Sequence, residues 1–194
     1  MRVETRKIFI FDELSQEAQE KAIEYFRNCK QQDGDLLMFF SDNVVEQLKE
    51  KGWNDVKLQY SLSCCQGDGL SFSGKLNLRW FLENEYSHKL PKYKINAICE
   101  YIYSVHSKGN TGHYCYASEN HIEYDENYQD NIERKNLDKL WQDVLSEIKI
   151  SYMALCRKFE KQGYDEIDYQ LSDECIKEDI QANEYEFLEN GKLA

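Results

Sequence analysis

Proline is nearly absent from this sequence, with Pro91 the only one in 194 residues, and no linker, repeat or low-complexity stretch divides the chain. A single domain spanning 1–194 is the expectation. No apolar run reaches the ~18 residues of a membrane-spanning helix, so no membrane association is expected. Positive charge is also in short supply, 24 Lys and Arg against 36 Asp and Glu, for a formal net charge of −12. Release of counterions from phosphates cannot drive binding by such a chain, so direct contact with nucleic acid is not expected. The opening Met-Arg-Val-Glu-Thr-Arg-Lys lacks the apolar stretch of a secretion signal, and the seven cysteines are odd in number. Reduced thiols in a cytosol are expected, not a disulfide framework.

What is present points to a packed core. Hydrophobic residues make up 41% of the chain and aromatics 13%, including 14 tyrosines, too much apolar material for a disordered acidic chain. The run 7–11, Lys-Ile-Phe-Ile-Phe, reads as a strand, and Ser15 then caps a helix carrying Ala18, Ala22, Tyr25, Phe26 and Cys29 on one face. A second helix follows from Leu37, Phe40, Val44, Val45 and Leu48, closed by Gly52 in a left-handed conformation. Leu58, Tyr60, Leu62 and Cys64 alternate with polar neighbours, as do Leu70, Phe72, Leu76, Leu78 and Trp80, so an antiparallel hairpin is expected around 66–69.

Pro91 suits a helix start, with Ile95, Ile98, Tyr101, Ile102 and Val105 as its buried stripe. Segments 113–117 and 119–124 alternate as short strands, and 136–161 reads as a long amphipathic helix ended by Gly163. Ser172 caps a short helix to about 182, and Asn190-Gly191 signals a terminal turn. Because the strands come in hairpins, the expected class is α+β: an antiparallel sheet with about five helices, mostly on one face.

Several clusters invite a functional reading. Gln66, Gly67, Asp68 and Gly69 could crowd backbone amides around a small anionic ligand, but no Gly-x-x-x-x-Gly-Lys pattern is present and Asp-Gly between two strands is ordinary hairpin chemistry. Cys64 and Cys65 would need His113 or His121 beside them to act as nucleophiles. His113, Cys115, His121 and Glu123 could share a face, yet their spacing is no zinc signature, so no metal or other cofactor is expected. Of the carboxylates, 123–126 and 165–168 (Asp165, Glu166, Asp168) are the densest stretches, and a solvated acidic surface explains them. Tyr101, Tyr103, Tyr114, Tyr116, Tyr124 and Tyr128 crowd the middle of the chain, where some form core and the exposed remainder offers contact area. The face formed by Tyr114, Tyr116, Glu123, Tyr124, Asp125 and Glu126 is the expected partner-binding surface, and the turn 66–69 the second candidate.

Three segments resemble one family: Phe11-Asp12-Glu13-Leu14-Ser15 with Glu17-Ala18, then Gln66-Gly67-Asp68-Gly69 with Ser71-Phe72, and Ala182-Asn183-Glu184-Tyr185-Glu186-Phe187. In this order they are similar to a family of phage and prophage proteins, some of which carry the label of antitoxin in a toxin–antitoxin system. The cysteine pair at 64–65 and the tyrosine-rich middle depart from that pattern. The resemblance brings no catalytic residues. It implies an accessory protein acting in the cytoplasm of a bacterial host, where it binds and inhibits a protein or ribonucleoprotein without catalysis: a defence component, as an anti-CRISPR-like protein does, or a toxin. A homodimer is left open. The alternative is a small-ligand or nucleotide-binding module using the turn 66–69, and a Cys/His hydrolase is the residual enzyme reading.

Overall fold

Along this chain, apolar residues two apart favour strand and those three or four apart favour helix, and turn chemistry arbitrates where the two coincide. The computed structural model describes residues 6–33, 35–86, 90–110, 114–127 and 134–194. Its elements are β1 (Phe9–Ile10), α1 (Gln16–Asp33), α2 (Phe40–Glu50), β2 (Trp53–Ser61), β3 (Gly69–Leu76), α3 (Leu78–Asn84), α4 (Lys92–Tyr101), β4 (Ile102–Lys108), β5 (Ile122–Glu126), α5 (Arg134–Gln170), α6 (Asp173–Ala182) and β6 (Glu186–Phe187). This is an α+β fold with antiparallel pairing in both of its sheets, β2-β3-β4-β5 and β1-β6. The chain forms two compact units, Phe39–Gly163 and Met1–Met38 with Tyr164–Ala194. Each has its own buried cluster.

In the larger unit, Leu58 stands opposite Phe72 and Tyr60 opposite Leu70, which puts the alternating residues of both strands on one face. Onto that face α5 lays Trp141, Val144, Ile148, Tyr152 and Phe159, with Val44 and Leu48 of α2 beside them. Gly52 takes φ +82 just beyond α2, as its position predicts.

Three expectations fail here. Leu78 and Trp80 do not extend β3, because the Asn77 side chain accepts the Trp80 amide at 3.0 Å and starts α3, whose Leu78, Phe81 and Leu82 are buried at helical spacing. The helix expected to run through Ile102 and Val105 ends at Tyr101. A register shift between Ile102 and Ser104 in β4 turns both Ile102 and Val105 inward, and the bulged strand mimics a helical step of three. Gly163 does not end α5 either. It lies buried inside the helix, where a Cβ would overlap Leu62 and come within 3.1 Å of the Phe40 ring, so its missing side chain serves close packing.

The expected strands at 113–117 and 119–124 reduce to β5. Residues 114–118 have no regular structure, Glu119–His121 is a single helical turn, and His113 lies outside the described residues.

In the smaller unit, the Ser15 hydroxyl accepts the Ala18 amide at 3.4 Å and Ser172 accepts that of Cys175 at 3.2 Å, the two N-terminal caps expected for α1 and α6. Arg27 pairs with Asp173, and Lys30 reaches Asp179 at 2.5 Å. The strand expected over 7–11 is shorter, because the Ile10 amide donates to Glu13 at 3.1 Å and Phe11–Glu13 curls into a helical turn. Phe9 and Ile10 then pair with Phe187 and Glu186. Gly191, at φ +81, closes the terminal turn with its amide on the Leu188 carbonyl at 2.9 Å.

Candidate functional site

The loop between β2 and β3 is organised by one carboxylate. Asp68 accepts the Ser61 hydroxyl at 2.7 Å, the Ser63 amide at 2.7 Å and the Cys65 amide at 2.8 Å. These donors, the Ser61 hydroxyl first and the Cys65 amide next, hold its pKa down to about 2. Two of the loop's amides, those of Ser63 and Cys65, are therefore engaged by its own side chain.

Asn110 and Cys115, both after β4, bond to β2 and to this loop. Asn110 donates its amide to Gln59 Oε1 at 3.0 Å, and the Cys115 amide reaches the Gly67 carbonyl at 3.1 Å. Gly67 and Gly69 both have positive φ, 98° and 151°. A Cβ on Gly67 would overlap the Tyr114 ring, and one on Gly69 would stand 2.7 Å from the Tyr116 Cα. Two of the tyrosines expected at a binding face thus rest on the glycines of the expected turn. Their rings lie 5.8 Å apart, with 47% of Tyr114 and 51% of Tyr116 exposed.

The rest of the expected face divides by role. Glu123 is held by Lys108 and by His106 Nε2 at 3.6 Å, and Lys108 lowers its pKa. Tyr124 turns edge-on to buried Trp141, 5.1 Å between rings, and serves the core. Asp125 is exposed. Glu126 and Asp138 both accept from the Tyr101 hydroxyl, at 2.5 and 2.8 Å, beside a cavity of about 320 Å³ that Trp141 and Gln142 also line. Among the described residues the buried Trp141 indole N–H has no hydrogen-bond partner. Tyr103 is exposed, and Tyr128 lies outside the described residues.

The thiol and metal readings gain no geometry. Cys64 and Cys65 are exposed, and the hydrogen bond of the Cys65 thiol is to the Ser63 carbonyl at 3.6 Å. His121 is buried, its Nδ1 3.4 Å from the Tyr152 hydroxyl, and burial depresses its pKa. Among the described residues no three of His, Cys, Asp and Glu gather to hold a metal ion. Asp165, Glu166 and Asp168 lie in the last two turns of α5.

One feature of the smaller unit was not legible as a site. Ile10, Phe11, Asp12, Gln181, Glu184 and Tyr185 line a groove of about 590 Å³, together with Ile180 and Glu186. Phe11 and Asp12 belong to the first, and Glu184, Tyr185 and Glu186 to the third, of the segments that carry the family resemblance. They lie some 170 residues apart in sequence, and the β1–β6 pairing brings them together. Two acidic-aromatic segments of similar character were the available signal.

Among the described residues, no helix is long and apolar enough to cross a membrane. Comparison of the chain with protein-family models, with curated proteins and with solved structures finds no match.

Proposed function

We propose that this chain is a non-enzymatic binding protein of the phage or mobile-element accessory type, which inhibits a bacterial host factor: a component of a defence system or a toxin. The observation that carries this reading is the Tyr114–Tyr116 pair, about half exposed yet seated on the backbone of Gly67 and Gly69. Rigid aromatic side chains lose little entropy on binding, and interfaces concentrate their energy in such anchors. A net charge of −12 adds long-range attraction toward a basic partner surface, including one that normally holds nucleic acid. The resemblance in three segments supplies the bacterial setting. The alternative, a small ligand at the turn 66–69, would bind beside Asp68, which already occupies the Ser63 and Cys65 amides.

The test is comparative capture from a bacterial lysate at low salt by the wild-type chain and by Tyr114→Ala/Tyr116→Ala. A saturable partner that the variant retains at least about tenfold less well, and that salt weakens, is the expected result. Recovery of no saturable partner, or of one indifferent to both tyrosines, rejects the reading.

A further inference from the structure

The groove of the smaller unit has the composition of a docking site. Phe11 and Ile180 form its floor, 5% and 1% exposed. Ile10 stands at its edge 55% exposed, and Tyr185, 38% exposed, is braced by Phe26 with 4.8 Å between rings. Around this apolar centre lie three exposed carboxylates, Asp12, Glu184 and Glu186, and no lysine or arginine is among the lining residues. The Gln181 amide holds Asp12 at 2.9 Å. Among the described residues the Glu184 and Glu186 carboxylates have no ion pair and no hydrogen bond. Unpaired like charges around an apolar floor are unfavourable to one another in the free chain, and a cation between them relieves this.

We propose that this groove docks a segment of a partner protein in which one apolar side chain is flanked by lysine or arginine. The apolar residue would enter between Ile10 and Tyr185, above Phe11 and Ile180, while the flanking cations meet Asp12, Glu184 and Glu186. An arginine or lysine over the exposed Tyr185 ring gains a cation–π contact as well. Docking is by side chains and not by addition of a strand. The Ile10 amide of β1 is already taken by Glu13, which closes the edge that an extended segment would need. This inference stands apart from the function proposed above, whose tyrosines belong to the other unit.

The probe is the peptide acetyl-Lys-Arg-Leu-Arg-Lys-amide, titrated into the isotope-labelled full chain and followed by amide chemical shifts. Saturable shifts confined to 10–13 and 180–187 are expected. Replacing the central leucine by glycine, or the basic residues by glutamate, should abolish them. The variant Asp12→Asn/Glu184→Gln/Glu186→Gln should weaken binding about tenfold or more, and Ile10→Ser several-fold, each with an otherwise unchanged spectrum. Shifts elsewhere, no saturation, equal binding by the glycine peptide, or indifference to the triple variant would each overturn the proposal. So would concentration-dependent shifts at the groove without peptide, which would make a second copy of this chain the occupant.

Discussion

Single residues decide how the tyrosine pair is presented. Gly67 and Gly69 look alike in sequence, but their surroundings differ. The neighbour of Gly67 is a ring that can swing aside, whereas the neighbours of Gly69 are the Tyr116 Cα at 2.7 Å and amide nitrogen at 3.0 Å. Alanine at 69 therefore combines an unfavourable φ with a backbone clash, and a loss of about 2–3 kcal/mol is expected. Alanine at 67 carries mainly the φ cost, about 1 kcal/mol, and frees the Tyr114 ring. Urea titration of both variants checks the order: equal midpoints would mean that residues 114–116 do not rest on the turn. The cap residues were legible because their chemistry is local, as at Ser15 and Ser172. Gly163 was not, since its role depends on Phe40 and Leu62, more than 100 residues earlier.

At the scale of elements, the hairpin could be read from alternation, and the fold class with it. What misled were accidents of period: a bulge in β4 gave strand residues a helical step, and Leu78 and Trp80 gave helix residues a strand step until Asn77 started α3. The loop between β2 and β3 shows the same limit. Its glycines were plain, but the part played by Asp68 as acceptor for Ser61, Ser63 and Cys65 depends on the folded path of the chain.

That arrangement sets a pH dependence. The folded carboxyl titrates at about 2, below its ordinary 3.8, so the unfolded chain binds the proton more readily. Loop stabilisation by Asp68 is complete above the ordinary value and is lost as the pH falls from there toward 2. Carboxyl and amide shifts followed by NMR should show Asp68, Ser63 and Cys65 titrating together near the lower value, and Asp68→Asn should remove that step. A midpoint near 4 would show that the three donors do not hold the carboxylate.

For the whole molecule, the important feature is two buried clusters in one chain. Among the described residues, eight buried ones make up that of the smaller unit and twenty-three that of the larger. Burial of each large apolar side chain contributes about 1.5–3 kcal/mol, so the smaller cluster has far less to set against the entropy of ordering its chain. Local unfolding should begin there. The probes are already in place. All three tryptophans, Trp53, Trp80 and Trp141, belong to the larger unit, so fluorescence reports that unit alone. Each cluster also holds or adjoins a buried thiol: Cys156 in the larger unit, where burial pushes its pKa up to about 12, and Cys175 in α6 of the smaller. With rising urea, Cys175 should become reactive to a thiol reagent below the fluorescence midpoint, and Cys156 only at it. Labelling of both thiols at one midpoint would instead make the chain a single cooperative unit despite its two cores. Staggered midpoints would mean that the acidic groove of the smaller unit can open while the tyrosine pair of the larger stays in place.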